Sequence, residues 1–326
     1  MSRDARPVRW YTHGWNRGLS WRLILGIVPK VPRFLRPPLH VLATLVCFVA
    51  MPAERRAAQR NLARITGRRG LASRLLAFRL FYNFSKFMVA YTDLMPFRPE
   101  RMRGRVQGGE EARGAIETLL GAGKGLIVVT LHLGNWEVGL AYLSLLGRPV
   151  SVVLRPEEHD AAPLARRARA RPWVRTVAAG GSAWNGLELL LALRRGEIVT
   201  IQGDRPFGAE SRRLPLFGAA VDLPSGPFAL AQASGAPLLL VCVPIRGHSR
   251  YRMHLDGPLT VGPGAEAIDA ALLDFARRVE RVVGLYPTQW FNFYDVWEVT
   301  PGGSPASPRA GRPARPGPAG RSCRAR

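Results

Sequence analysis

Between residues 120 and 283, short apolar runs alternate with stretches of helix length, and no other feature constrains the fold of this chain as strongly. Gly125–Leu131, Pro149–Leu154, Val174–Ala178, Glu197–Gln202 and Pro237–Pro244 read as strands. Trp136–Leu146, Ala161–Ala170, Ser182–Arg195 and Phe228–Ser234 read as the helices between them. Tyr251–Leu255 adds a strand with strict alternation. Ala265–Val283 adds an amphipathic helix with Ile268, Leu272, Phe275, Val279 and Val282 on one side. Strands that alternate with helices of this length predict an α/β fold, with a largely parallel mixed sheet flanked by helices. In such sheets, sites gather outside the carboxyl ends of the strands.

That rule singles out His132, which directly follows the first apolar run, with Glu137 five residues on. Histidine titrates close to neutral pH and can take a proton from a hydroxyl. A carboxylate beside it can fix its tautomer and stabilise the imidazolium that forms. Gly134 and Asn135 permit a tight turn from strand to helix. Arg155 and Asp204 also follow or end apolar runs, so the three could share one cleft. Taken alone, a histidine near a glutamate is a weak signal, and a structural histidine is the competing reading.

The charge is distributed unevenly. Of the 47 Lys and Arg residues, 21 lie in residues 1–105 against four acidic ones, a net of +17. Residues 106–300 are close to neutral at +1, and residues 301–326 carry six basic residues and no acidic one. The chain therefore divides into a basic, apolar N-terminal helical region (1–105), a catalytic body (106–300) and a disordered basic tail (301–326) rich in Pro, Gly and Ser. The N-terminal cations are interleaved with apolar and aromatic runs such as Trp21–Val28 and Leu75–Tyr82. That mixture suits an anionic membrane surface better than nucleic acid.

Pro37–Ala53 holds no charged residue, yet it is shorter than the ~20 residues a spanning helix needs. A core helix and a membrane-embedded anchor both fit it. Cysteine is confined to Cys47, Cys242 and Cys323, which indicates neither a disulfide framework nor a zinc cluster. No metal or redox cofactor is expected.

Several blocks in order carry a family resemblance. His132-x4-Glu137 resembles the HX4(D/E) signature of the lysophospholipid acyltransferase superfamily. More closely, the chain resembles the bacterial lipid A biosynthesis acyltransferases and the phosphatidylinositol mannoside acyltransferases. Asn61-Leu62, Val153-Leu154-Arg155-Pro156, Gly203-Asp204-Arg205-Pro206 and Leu214–Gly218 agree with it. So do Pro224–Ala231, Gly235–Leu239 and Pro287–Tyr294. The resemblance implies a glycerol-3-phosphate acyltransferase-like fold with an N-terminal membrane-associating region. It implies acyl transfer from acyl-ACP or acyl-CoA, as co-substrate, to a hydroxyl of a lipid or glycolipid acceptor. The location implied is the cytoplasmic face of the inner membrane, in peripheral, monotopic or single-pass attachment.

His132 would then be the general base and Glu137 its partner. Arg155 and Arg205 would contact a phosphate-bearing acceptor, against the alternative of a surface salt bridge for each. Asp204 would be a supporting partner or a helix cap. Ser225 and Gly226 would offer backbone donors at a helix start, or form an ordinary cap. Asn292 and Asp295 stand where typical lipid A enzymes carry basic residues, which leaves the acceptor open. A non-catalytic lipid-binding protein and a basic nucleic-acid-binding protein are the alternatives outside catalysis.

Overall fold

A computed structural model describes residues 30–32, 35–94, 104–154, 173–179, 183–205, 210–247 and 249–298. The helix expected at Ala161–Ala170, Arg155 and the basic tail lie outside these residues.

In chain order the elements begin with three helices, α1 (Arg36–Ala50), α2 (Pro52–Thr66) and α3 (Gly70–Leu94). There follow β1 (Val106–Gln107), α4 (Gly109–Gly121), β2 (Leu126–Thr130), α5 (Trp136–Leu143), β3 (Val150–Leu154) and β4 (Val174–Ala178). Next come α6 (Ala183–Arg194), β5 (Ile198–Gln202), β6 (Ser211–Leu216), β7 (Ala219–Pro224), α7 (Gly226–Ser234) and β8 (Leu238–Cys242). The last elements are β9 (Tyr251–Arg252), β10 (His254–Leu259) and α8 (Ala265–Leu285).

Six strands form the central sheet in the order β10-β8-β2-β5-β3-β4. All neighbours are parallel except the β10–β8 pair at one edge. This is the α/β architecture that the strand–helix alternation predicts. β2 lies between β5 and β8, so its residues point into two protected layers and it is apolar on both sides.

Alternation along β2 assigns the layers. Leu126 and Val128 belong to a core with Phe48 of α1, Leu62 of α2, Phe81 of α3, Ile116 of α4 and Tyr142 of α5. Ile127, Val129 and Leu131 belong to a second core with Leu193 of α6, Phe228 of α7 and Phe275 of α8. The N-terminal helices thus close one face of the sheet. α8 closes the other through Leu272, Phe275, Val279 and Val282, all nearly inaccessible. Each such side chain contributes about 1.5–3 kcal/mol on burial.

The structure departs from the sequence expectation in two places. The run Tyr251–Leu255 is not one strand. Tyr251 and Arg252 pair in parallel with β1, while His254 onward pairs antiparallel with β8. The chain changes partner at Met253, whose N–H is held by Gln107. In addition, β6 and β7 form a hairpin that the apolar pattern does not announce, because Arg212, Arg213 and Pro215 interrupt it. Its turn is Phe217–Gly218, with φ of 50° and 74°. Two positive φ values in succession are what a two-residue turn of the twist-matched type requires.

α1 and α2 are joined at Met51 and bend by 98°. No single described helix is long and apolar enough to cross a membrane.

Candidate active site

The site is built where the polypeptide leaves β2 and β5. Continuing the alternation of β2, Thr130 and then His132 fall on the same face as Val128. On β5, Thr200, Gln202 and then Asp204 follow the same rule. Because β2 and β5 pair in register from Leu126↔Ile198 to Thr130↔Gln202, His132 and Asp204 arrive side by side.

The Asp204 carboxylate meets three donors. Its Oδ1 lies 2.8 Å from Nδ1 of His132. Its Oδ2 accepts from the His132 backbone N–H at 3.0 Å and from the Trp290 indole N–H at 2.8 Å. The His132 carbonyl in turn accepts from the Phe291 N–H at 2.7 Å. The histidine is therefore held at backbone and ring together. Nδ1 is committed to a carboxylate, which leaves Nε2 for chemistry. The Asp204 side chain keeps 1% of its surface accessible and that of His132 12%, so only the histidine is reachable.

The electrostatics suit a base. Burial pushes His132 below its ordinary pKa of 6.5, and the Arg205 charge adds to this, against an opposing pull from Asp204. The imidazole is therefore neutral near pH 7. Burial alone would raise Asp204, but the charge and hydrogen bond of His132, helped by Arg205, outweigh it and hold the carboxyl at about 2. Asp204 is thus ionised wherever His132 needs a partner.

Two glycines make this geometry possible. Gly134 has φ of 68°, and a β-carbon there would overlap the Val243 carbonyl. Its N–H is held by Gln289 and the next N–H, of Asn135, by Val243. Gly203, just before Asp204, has no room for a β-carbon beside Val129 and Phe275. Asn135 then caps α5, its side chain accepting from the Val138 N–H.

The sequence expectation pairs His132 with Glu137. In the structure the carboxylate bonded to the imidazole is that of Asp204, which the sequence suggests only as a supporting partner or cap. The reason is register. Asp204 is 72 residues away but on the adjacent strand, whereas Glu137 is carried into the first turn of α5. There Glu137 lines an apolar cavity.

That cavity lies on the same face of the sheet, under α5. Thr130 and Gln202 are in its wall, each two residues ahead of the His132–Asp204 pair. Val128, Val152, Thr200 and Val241 form its floor across four strands, and Trp136, Gly139, Leu140 and Tyr142 come from α5. At about 4.8 Å per strand, the three spacings from β3 to β8 span about 14 Å. Trp136 also stands beside His132, with ring centroids 5.4 Å apart.

Arg205 is buried and its guanidinium is engaged. Nε donates to the Asn292 side chain at 3.0 Å, Nη2 donates to the Phe291 carbonyl at 2.7 Å, and the group lies over the Tyr294 ring. It ties the C-terminal block to the loop after β5. Ser225 and Gly226 open α7, which packs into the core on the other face of the sheet from the cavity. Trp290 is a site residue that composition alone gives no reason to choose. Among the described residues, no group of three or more His, Cys, Asp or Glu side chains is arranged to hold a metal.

Residues 8–298 match the family model described as bacterial lipid A biosynthesis acyltransferase, and the chain belongs to that family. No curated protein matches it.

Proposed function

We propose that this acyltransferase moves a fatty acyl chain from an acyl-ACP or acyl-CoA thioester to a hydroxyl of a lipid or glycolipid acceptor. Its place of work is the cytoplasmic face of the bacterial inner membrane. The observation that carries the reading is a neutral, accessible histidine backed by a buried, ionised carboxylate and set beside an apolar cavity, in a member of this family.

In this reading Nε2 of His132 takes the proton of the acceptor hydroxyl. The oxygen attacks the thioester carbonyl and gives a tetrahedral oxyanion. Collapse breaks the carbon–sulfur bond, and the proton on Nε2 passes to the departing thiolate. An ester and a free thiol result, without a covalent acyl-enzyme. Asp204 keeps the proton on Nδ1 and stabilises the imidazolium between the two transfers. The cavity under α5 takes the acyl chain, and Glu137 places a carboxylate in its wall. Arg155 retains the phosphate-contacting role that the family resemblance gives it. Arg205, Ser225 and Gly226 act through the framework.

The test is thiol release and lipid mass spectrometry with purified protein, acyl-ACP or acyl-CoA, and a panel of hydroxylated lipids. His132→Ala should lower turnover by about a hundredfold to ten-thousandfold while leaving the melting temperature close to the parent's. Near-normal turnover by that variant would overturn the mechanism.

A further inference from the structure

A second cleft, of about 410 Å³, lies between α1, α3 and the β8–β9 connection. It shares no described lining residue with the apolar cavity. Arg36, His40, Lys86, Arg105 and Arg250 line it, with Tyr251, and none of its described lining residues is acidic. Among the described residues, no carboxylate pairs with Lys86, Arg105 or Arg250. Burial pushes the Lys86 ammonium below its ordinary pKa, with Arg79 adding to this, and the group lies over the Tyr82 ring. His40 is buried and its Nδ1 lies 3.2 Å from the Ser85 hydroxyl. Lys86, Arg105 and Arg250, which no described carboxylate pairs, raise one another's energy in this recess, and a bound anion relieves this.

The neighbouring surface says what kind of anion. α1 starts at Arg36 and buries only His40, Thr44 and Phe48. Leu39, Leu42, Val46 and Val49 are exposed along its other side, Val49 by 65%, and Leu71 and Leu75 of α3 are exposed as well. Fifteen residues make a helix of about 22 Å, shorter than the ~30 Å hydrocarbon layer. Such a helix can lie along one leaflet but is too short to cross the whole layer by itself. Its far end is basic, since Arg55 bonds the Phe48 carbonyl there. The apolar strip therefore ends, at Arg36, in the basic cleft.

We propose that the cleft receives the phosphate headgroup of an anionic membrane lipid while the exposed side of α1 enters the leaflet beside it. The site sets the depth and direction in which the protein meets the membrane. It does not depend on the acyl-transfer reading.

The experiment is co-sedimentation with phosphatidylcholine vesicles, with and without one-fifth phosphatidylglycerol, at fixed ionic strength. The cleft variant Lys86→Gln/Arg105→Gln/Arg250→Gln is compared with Lys124→Gln/Arg194→Gln/Arg277→Gln, which removes three charges from exposed positions on the body. The cleft variant should bind the anionic vesicles roughly a hundredfold more weakly, at about a factor of five per cation. The control should change by less than tenfold. Should the triple variant fail to fold, Arg250→Gln alone, at an exposed loop position, should weaken binding about fivefold. Equal losses in cleft and control variants would reduce the effect to net charge and overturn the proposal. So would release by millimolar inorganic phosphate, which would mark a free-ion site. Concentration-dependent dimerisation without vesicle binding would also overturn it, by assigning the apolar side of α1 to a second copy.

Discussion

Replacing Asp204 by Asn keeps the shape of the side chain and changes what the imidazole can do. Three N–H groups face the carboxylate, two at Oδ2 and one at Oδ1. The amide has one oxygen, and the two donors at the Oδ2 position claim it. Its NH2 then faces Nδ1 of His132, which must accept rather than donate. The ring proton moves to Nε2, and the base is lost by tautomer rather than by displacement. An exchange of this kind in a histidine–carboxylate pair costs about ten-thousandfold in turnover.

Stability changes less. A carboxyl lowered from 3.8 to about 2 contributes about 2 kcal/mol to the folded state. Because the folded value is the lower one, that contribution is present above pH 4 and disappears as the pH falls through about 2. The difference between parent and Asp204→Asn in chemical denaturation should therefore shrink as the pH falls from 4 toward 2. The decisive assay is initial-rate thiol release at pH 7, with Glu137→Gln measured alongside. If Asp204→Asn stays within tenfold of the parent while Glu137→Gln loses activity, Glu137 is the histidine's partner in catalysis and the tautomer reasoning fails.

Other outcomes follow from the same geometry. Arg205→Met removes a charge that lowers the His132 pKa, so the acid limb of the pH–rate profile should move to higher pH; an unmoved limb would contradict this. Gly134→Ala puts a β-carbon against the Val243 carbonyl at a positive φ, and should destabilise the protein by about 3 kcal/mol or more in urea titration. Gly139 lines the apolar cavity, and a β-carbon there would already lie 3.1 Å from the Val243 side chain. Gly139→Leu should therefore shift acyl preference toward shorter chains in a donor competition; an unchanged product distribution would place the acyl chain elsewhere.

The strand–helix alternation made most of the sheet legible, because strands buried on both faces are apolar throughout and stand out against any background. It also located His132, since a residue directly after such a strand must emerge at the sheet's carboxyl edge. Strand order was not legible. β5 lies next to β2 although α5, β3, β4 and α6 intervene in the chain, and only that adjacency makes Asp204 the partner of His132. The hairpin of β6 and β7 escaped for the opposite reason. It is short, half exposed and rich in Arg and Pro, so packing rather than pattern holds it. The basic cleft escaped because its cations come from four separate segments, each an ordinary arginine or lysine by itself.

The block from Pro287 to Trp297 is clasped from every side. Asn61 of α2 holds the carbonyls of Asn292 and Tyr294, and Asn83 of α3 holds Thr288. Gln289 exchanges two bonds with the backbone of Ile245, and Trp290 and Phe291 hold Asp204 and His132. These links join residues up to 233 positions apart. Consider the nascent chain: at about 5–20 residues per second, His132 is made roughly ten to thirty seconds before Trp290. Through that interval the residues of α1, α2 and α3 have already been made, and Trp290 and Phe291, which hold Asp204 and His132, have not. Acyl transfer can begin only once the ribosome has delivered the segment that closes the fold.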